Sequence, residues 1–157
     1  MSEAARLEAI FISPARGDPV RRVALAAALA GAGLEGDRYA LGTGYYSGRH
    51  DCQISLIEAE VLDAIHQEDG LPIHDGQHRR NLVTRGLRLL RQQGWRLRIG
   101  AVLLEYERPR PPCDYVQRLS YPGLTKALGR GAGLGMRILT GGMLEEGALI
   151  KVVSEGG

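Results

Sequence analysis

Trp95-Arg96-Leu97-Arg98-Ile99-Gly100-Ala101-Val102-Leu103-Leu104-Glu105-Tyr106-Glu107 is the stretch on which the fold turns. Trp95, Leu97 and Ile99 alternate with Arg96 and Arg98, the two-residue period of a strand with one face buried and one in water. Gly100 interrupts the run, and Ala101 to Glu107 resumes it as a second strand.

Outward from this pair, Leu7 to Ser13 reads as a first strand and Asp18-Pro19 as a turn. Val20 to Ala30 opens with a valine suited to a strand and continues in alanines suited to a helix. Its place between two turns favours strand pairing with the first segment. Met136 to Thr140 and Leu149 to Val153 read as further strands, separated by the turn-rich segment Gly141-Gly142 to Gly147. The clearest helix signal starts at Ser55. Ser55 and Glu58 have capping-box spacing, Leu56, Ala59, Leu62 and Ile65 form an apolar stripe, and Gly70 supplies the stop. A short helix is expected around Leu124 to Leu128, closed by Gly129. Twenty-two glycines against one phenylalanine favour short strands and tight turns over a helix bundle. The expected fold is mainly β with a few helices (α+β), a closed or nearly closed β-barrel, formed by a single domain over residues 1–157 with its core at about 7–153.

Composition narrows the partners. Twenty basic against 18 acidic residues leave a formal charge of +2, so a strongly cationic nucleic-acid surface is not implied. Two cysteines do not make a disulfide framework. Met1 to Arg6 lack an apolar stretch behind a basic start, and no apolar run approaches the length of a membrane span. A cytoplasmic protein with neither nucleic acid nor membrane as partner is expected.

Cys113 ends the run Arg108-Pro109-Arg110-Pro111-Pro112, a cationic, proline-stiffened approach directly after the second strand. The thiolate is the nucleophile and the soft metal ligand, and its population depends on lowering a free pKa of about 8.5. A guanidinium roughly 6 Å from the sulfur, at an effective dielectric of about 20, favours the thiolate by about 2.8 kcal/mol, an upper bound that water reduces. The competing reading is an inert, buried small hydrophobe. Arg79-Arg80-Asn81, after Gly76-Gln77-His78 and before Leu82-Val83, stands at a loop-to-strand junction where both guanidiniums can converge on an anion, matching phosphate oxygens bidentately. A solvated basic pair is the bland alternative. Gly36-Asp37-Arg38 reads as a tight turn with an internal ion pair, with Arg38 or Tyr39 available to a ligand only if it faces a pocket. Gly42-Thr43-Gly44 lacks the Gly-Lys-Ser/Thr ending of a phosphate-binding loop. Asp75-Gly76 between His74 and His78 argues for a turn and against a zinc site. His50-Asp51-Cys52 could be read as a redox site, though Cys52 reads better as a packed residue, and no Ser-His-Asp constellation can be placed.

Taken in order, Gly33-Leu34-Glu35-Gly36-Asp37-Arg38, Arg79-Arg80-Asn81-Leu82-Val83 with Gly86, Ile99-Gly100, Pro112-Cys113, and Gly129-Arg130 through Ile138 to Gly141-Gly142 resemble the MOSC domain family, the module named from the C-terminal domain of molybdenum cofactor sulfurases. The resemblance spans roughly Leu7 to Val153 and suggests a small stand-alone member. It implies a β-barrel and a functional thiol at Cys113, carrying sulfur as a persulfide or contacting molybdenum directly. It also implies an anionic-ligand site at Arg79, Arg80 and Asn81, with Arg38 and Asp37 beside it. The implied cofactor is the molybdenum cofactor (molybdopterin), with pyridoxal phosphate binding as a family-level association. The implied partners are a cysteine desulfurase or a redox partner. Tyr39 stands where relatives often carry histidine, and Gly147-Ala148 where they often carry Gly-Asp. Two other functions fit the same residues. One is a non-catalytic module for a phosphate-bearing metabolite, with a structural Cys113. The other is a molybdenum-dependent reductase of N-hydroxylated compounds, which would need a separate electron donor because the chain carries no flavin, haem or iron-sulfur motif.

Overall fold

The structure, a computed structural model, describes residues 4–14, 19–37, 53–109 and 133–155. Along the chain these form β1 (Arg6–Ile12), β2 (Arg21–Val23), β3 (Leu25–Leu29), β4 (Gly33–Leu34), β5 (Ile54–Glu58), α1 (Ala59–Asp69), β6 (Leu82–Arg85), β7 (Trp95–Ile99), β8 (Val102–Pro109), β9 (Leu134–Thr140), β10 (Gly142–Glu145) and β11 (Ile150–Glu155). The helix expected at Leu124 to Leu128 lies outside the described residues.

The alternating stretch forms the expected hairpin, with Arg96 opposite Glu105 and Ile99 opposite Val102. Trp95, Leu97 and Ile99 are fully buried while Arg96 and Arg98 face water. Around the hairpin an eight-stranded sheet runs in the order β11-β7-β8-β9-β5-β6-β1-β2, and a three-stranded sheet in the order β10-β3-β4. Every pairing is antiparallel except β5 with β6. That parallel pair needs a crossover, and α1 lies within the connection.

The strand pairing leaves both sheets open, with β11 and β2 ending the larger one, so the closed barrel expected from sequence is not established. A narrow seam does form. Arg6 bridges Leu149, and the amides of Leu7 and Ile150 donate to the carbonyls of Ala148 and Ala5 at 2.9 Å each.

Two apolar clusters lie on the two faces of the sheet. Leu56 and Leu82 join the larger one with the β7–β9 core, while the next residues along, Ile57 and Val83, join Ala59, Leu62 and Ile65 of α1 in the smaller. Alternation along β5 and β6 thus gives one cluster to the sheet interior and one to the helix.

The capping box expected at Ser55 does not form. Ser55 lies inside β5, and the helix starts four residues later behind Glu58, which has extended backbone (φ −79°, ψ 132°) and makes no side-chain cap bond. The energies explain the outcome: a cap contributes about 1 kcal/mol, whereas burying each of Ile54, Leu56 and Ile57 in a central strand contributes roughly 1.5–3 kcal/mol. The helix ends as expected, with Gly70 left-handed (φ 67°) and its N–H donating to the His66 carbonyl. The turn-rich Gly141 to Gly147 segment contains β10, which the sequence reading leaves out. It forms because Leu144 can be buried when 142–145 pairs with β3, a contact more than a hundred residues distant along the chain.

Candidate functional site

The residues ahead of β6 meet the C-terminal end of β1. Residues 74–78 form the turn that Asp75-Gly76 suggests. Gly76 is required there twice over, since its φ is +97° and a Cβ would come within 2.1 Å of Val20 Cγ2. Arg79 follows with its N–H donating to the Gly76 carbonyl at 2.9 Å and with φ +59°, a left-handed conformation that costs a non-glycine residue about 1–2 kcal/mol. This strained step turns the chain into β6.

Asn81 fastens the junction. Its Oδ1 accepts the Ser55 N–H at 3.0 Å and the Ser55 hydroxyl at 3.2 Å, and its own N–H donates to Ser55 Oγ at 3.0 Å. Nδ2 donates to the Phe11 carbonyl at 3.1 Å, while the Asn81 carbonyl accepts the Phe11 N–H at 2.7 Å. One buried side chain therefore ties β1, β5 and the head of β6 together. Two residues beyond Phe11, the Ser13 N–H donates to Asp37 Oδ1 at 2.9 Å, which brings the Gly36-Asp37 turn to the same end of β1.

Arg79 and Arg80 are 6 % and 4 % exposed. They are not the solvated pair that adjacent arginines on a surface would make. Asp37, His78 and Asn81 are buried with them. His78 accepts the Arg80 N–H at Nδ1 (2.9 Å), and its ring packs edge-on against Phe11 with centroids 5.2 Å apart. Burial first, then the charges of Arg80 and His74, push its pKa down to about 3. The ring is neutral at physiological pH with Nδ1 as acceptor, so the proton sits on Nε2. That buried N–H has no hydrogen-bond partner among the described residues. His74, the other histidine of the turn, is bound elsewhere, with Nε2 2.8 Å from Asp63 Oδ1 on α1. Among the described residues no group of three or more His, Cys, Asp or Glu side chains is placed to hold a metal ion.

Of the residues singled out from sequence, the fold brings Asp37, Arg79, Arg80 and Asn81 to one end of β1. Arg38 and Cys113 lie outside the described residues, as do Tyr39, Cys52 and His50-Asp51. Two participants were not read as such from sequence. Ser55 carries a hydroxyl at capping-box spacing, which hid its strand role. His78 drew attention only through its spacing from His74, whereas its position two residues before Arg80 is what sets its tautomer.

These features define a mainly β protein that buries a pair of cations, the first on a left-handed backbone, at the head of a strand. The chain belongs to the MOSC domain family, whose sequence model matches residues 43–151. That family is associated with molybdenum cofactor sulfurase-like proteins. The fold is similar to the YUAD protein from Bacillus subtilis (TM-score 0.76, 20 % identity, covering 96 % of each chain). It is also similar to YiiM from Geobacillus stearothermophilus (0.71, 21 %, covering 96 % of this chain and 75 % of that one). For YiiM from Escherichia coli the values are 0.62 and 19 %, with 99 % of this chain and 71 % of that one covered. At these identities the likeness is one of fold. A comparison with curated proteins finds no match. No helix among the described residues is long and apolar enough to cross a membrane.

Proposed function

We propose that this protein associates with the molybdenum cofactor, with Cys113 as sulfur carrier or metal ligand and with Arg79 and Arg80, joined by Arg38, holding the anionic group of the ligand. The observation that carries the reading is the buried arginine pair. Two permanent cations side by side at 6 % and 4 % exposure make a fixed positive site, whose guanidinium forks match an anionic group such as a phosphate with bidentate, charge-assisted bonds. Asn81 and Asp37 act here as positioning residues, because their bonds to Ser55, Phe11 and Ser13 set the strand head from which the arginines project.

When bound, the cofactor supplies a thiophilic metal together with a phosphate. What the chain supplies is a cradle for the phosphate and a cysteine whose ionised form Arg108 and Arg110, its sequence neighbours, would favour. In the carrier version, the Cys113 thiolate takes a sulfane sulfur from a donor persulfide of the cysteine desulfurase type. The S–S bond of the donor breaks, that of the Cys113 persulfide forms, and the donor leaves as its thiolate. The same reading treats the chain as a single domain and the larger sheet as a nearly closed barrel, supported by the Arg6–Leu149 seam.

Titrating the cofactor into wild type and Cys113→Ala, with mass measurement of sulfur loading, tests the assignment. Loss of loading with retained phosphate-dependent affinity is expected for a carrier, and loss of affinity for a metal ligand. Equal loading and equal affinity in the two proteins would leave a phosphate-binding module with a structural cysteine.

A further inference from the structure

Away from the arginine pair, the first turn of α1 and the irregular segment 86–92 border a shallow, open cleft of about 630 Å³. That volume lies within the roughly 300–1,000 Å³ of small-molecule sites. One wall is acidic, with Glu58 and Glu60. The other carries Arg88 and Arg91, interleaved with Leu87 and Leu89. A separate, smaller pocket shares Glu58, Leu89 and Arg91 and is also lined by Gly133 and Leu134 at the start of β9.

The two carboxylates have different employment. Glu60 Oε2 accepts the Gly86 N–H at 2.7 Å, which pins the segment to the helix and so sets the width of the cleft. Glu58, although it is the N-cap residue, makes no cap hydrogen bond. It is half-buried, and burial, then the charge of Glu60, push its pKa up, against the pull of Arg88. Arg88 and Arg91 are exposed on the facing wall and form no ion pair among the described residues. The cleft thus presents an acidic wall and a basic wall with aliphatic surface between them.

We propose that this cleft binds a small zwitterion with an aliphatic body, of the amino-acid class, its ammonium toward Glu58, its carboxylate toward Arg88 and Arg91, and its side chain on Leu87 and Leu89. A simple cation would face two arginines, and a simple carboxylate would face Glu58 and Glu60. A molecule carrying both charges at its two ends complements both walls. This site is independent of the arginine and thiol reading above, and either can fail alone.

L-leucine serves as the probe, titrated by calorimetry into the intact protein, with 4-methylpentanoate and 3-methylbutylamine as the analogues lacking one charge each. Saturable leucine binding is expected, with affinity about tenfold weaker for each analogue and for leucine with Glu58→Gln or Arg91→Ala. Inorganic phosphate binding should be the same in Glu58→Gln as in wild type. Arg91 lies on a segment without regular structure, so its variant keeps the test decisive if Glu58→Gln fails to fold. No leucine binding up to about 10 mM, analogues that bind as tightly as leucine, or an Arg91→Ala protein that binds leucine like wild type would overturn the proposal.

Discussion

His78 shows how far a single residue's chemistry is set by its neighbours. The fold holds its pKa near 3, through burial and then the charges of Arg80 and His74, whereas the unfolded chain releases it to the ordinary value of 6.5. Between those values the unfolded state binds a proton that the folded state refuses. The stability this residue secures is therefore complete above about pH 6.5 and is lost as pH falls towards 3, by about 1.4 kcal/mol per pH unit. Urea melts of His78→Gln between pH 7 and 4.5 should show a stability profile flatter by roughly that slope, whatever the offset in absolute stability. Parallel profiles for variant and wild type would show that the ring is protonated in the fold. The sequence places His78 in a turn beside the arginines, but its tautomer depends on the Arg80 amide reaching Nδ1, and no residue pattern encodes that.

At the scale of elements, the parallel pair β5–β6 is fastened at its head by the Ser55–Asn81 bonds and then crossed by α1. Asn81→Ala would leave the Phe11 carbonyl and the Ser55 amide buried without those partners, at roughly 1–3 kcal/mol for each buried group left unsatisfied. We expect a loss of about 3 kcal/mol in stability, and inorganic phosphate affinity should fall with it, because Arg79 and Arg80 precede the loosened strand. Denaturant melts and a phosphate titration read the two effects, and a stability change below about 1 kcal/mol would contradict the staple. Here the sequence was half legible. Leu62, Ile65 and Gly70 announce the helix and its end correctly, yet Ser55 and Glu58 announce its start four residues early. Capping boxes are recognised by local spacing, whereas the strand that claimed Ser55 is specified by partners at 81–84 and 134–136.

Across the whole molecule, the same contrast separates hairpins from long-range pairings. The β7–β8 turn could be read from Trp95 to Glu107 because alternation and Gly100 are local. The insertion of β5 between β6 and β9, and the pairing of β10 with β3, join segments that no local period connects. Of the candidate site, the arginine pair and its strand junction could be read as a motif, while its burial could not, because burial depends on segments distant along the chain that no local pattern specifies. The exposed face of β7–β8–β9 offers a test of that register. Arg96 lies opposite Glu105, and Glu105 opposite Arg137, so one carboxylate bridges three strands, with Arg96 Nε 2.7 Å from Oε2 and Arg137 bonded to Oε1. Hydrogen bonds from Arg96 and then Arg137 lower the Glu105 pKa below its ordinary 4.5. A lowered carboxylate pKa contributes stability above about pH 4.5 that is lost as pH falls through the folded value. Both arginines are nearly half exposed, so water and salt screen much of the interaction, and Glu105→Gln should lose only about 1 kcal/mol at pH 7 and low salt. That difference should shrink at about 1 M salt, and should close as pH falls through the lowered folded value, where wild-type Glu105 becomes neutral as well. A deficit that persists in acid would mean that Glu105 acts through packing on β8, and the three-strand charge ladder would have to be given up as the reason these arginines alternate with the core.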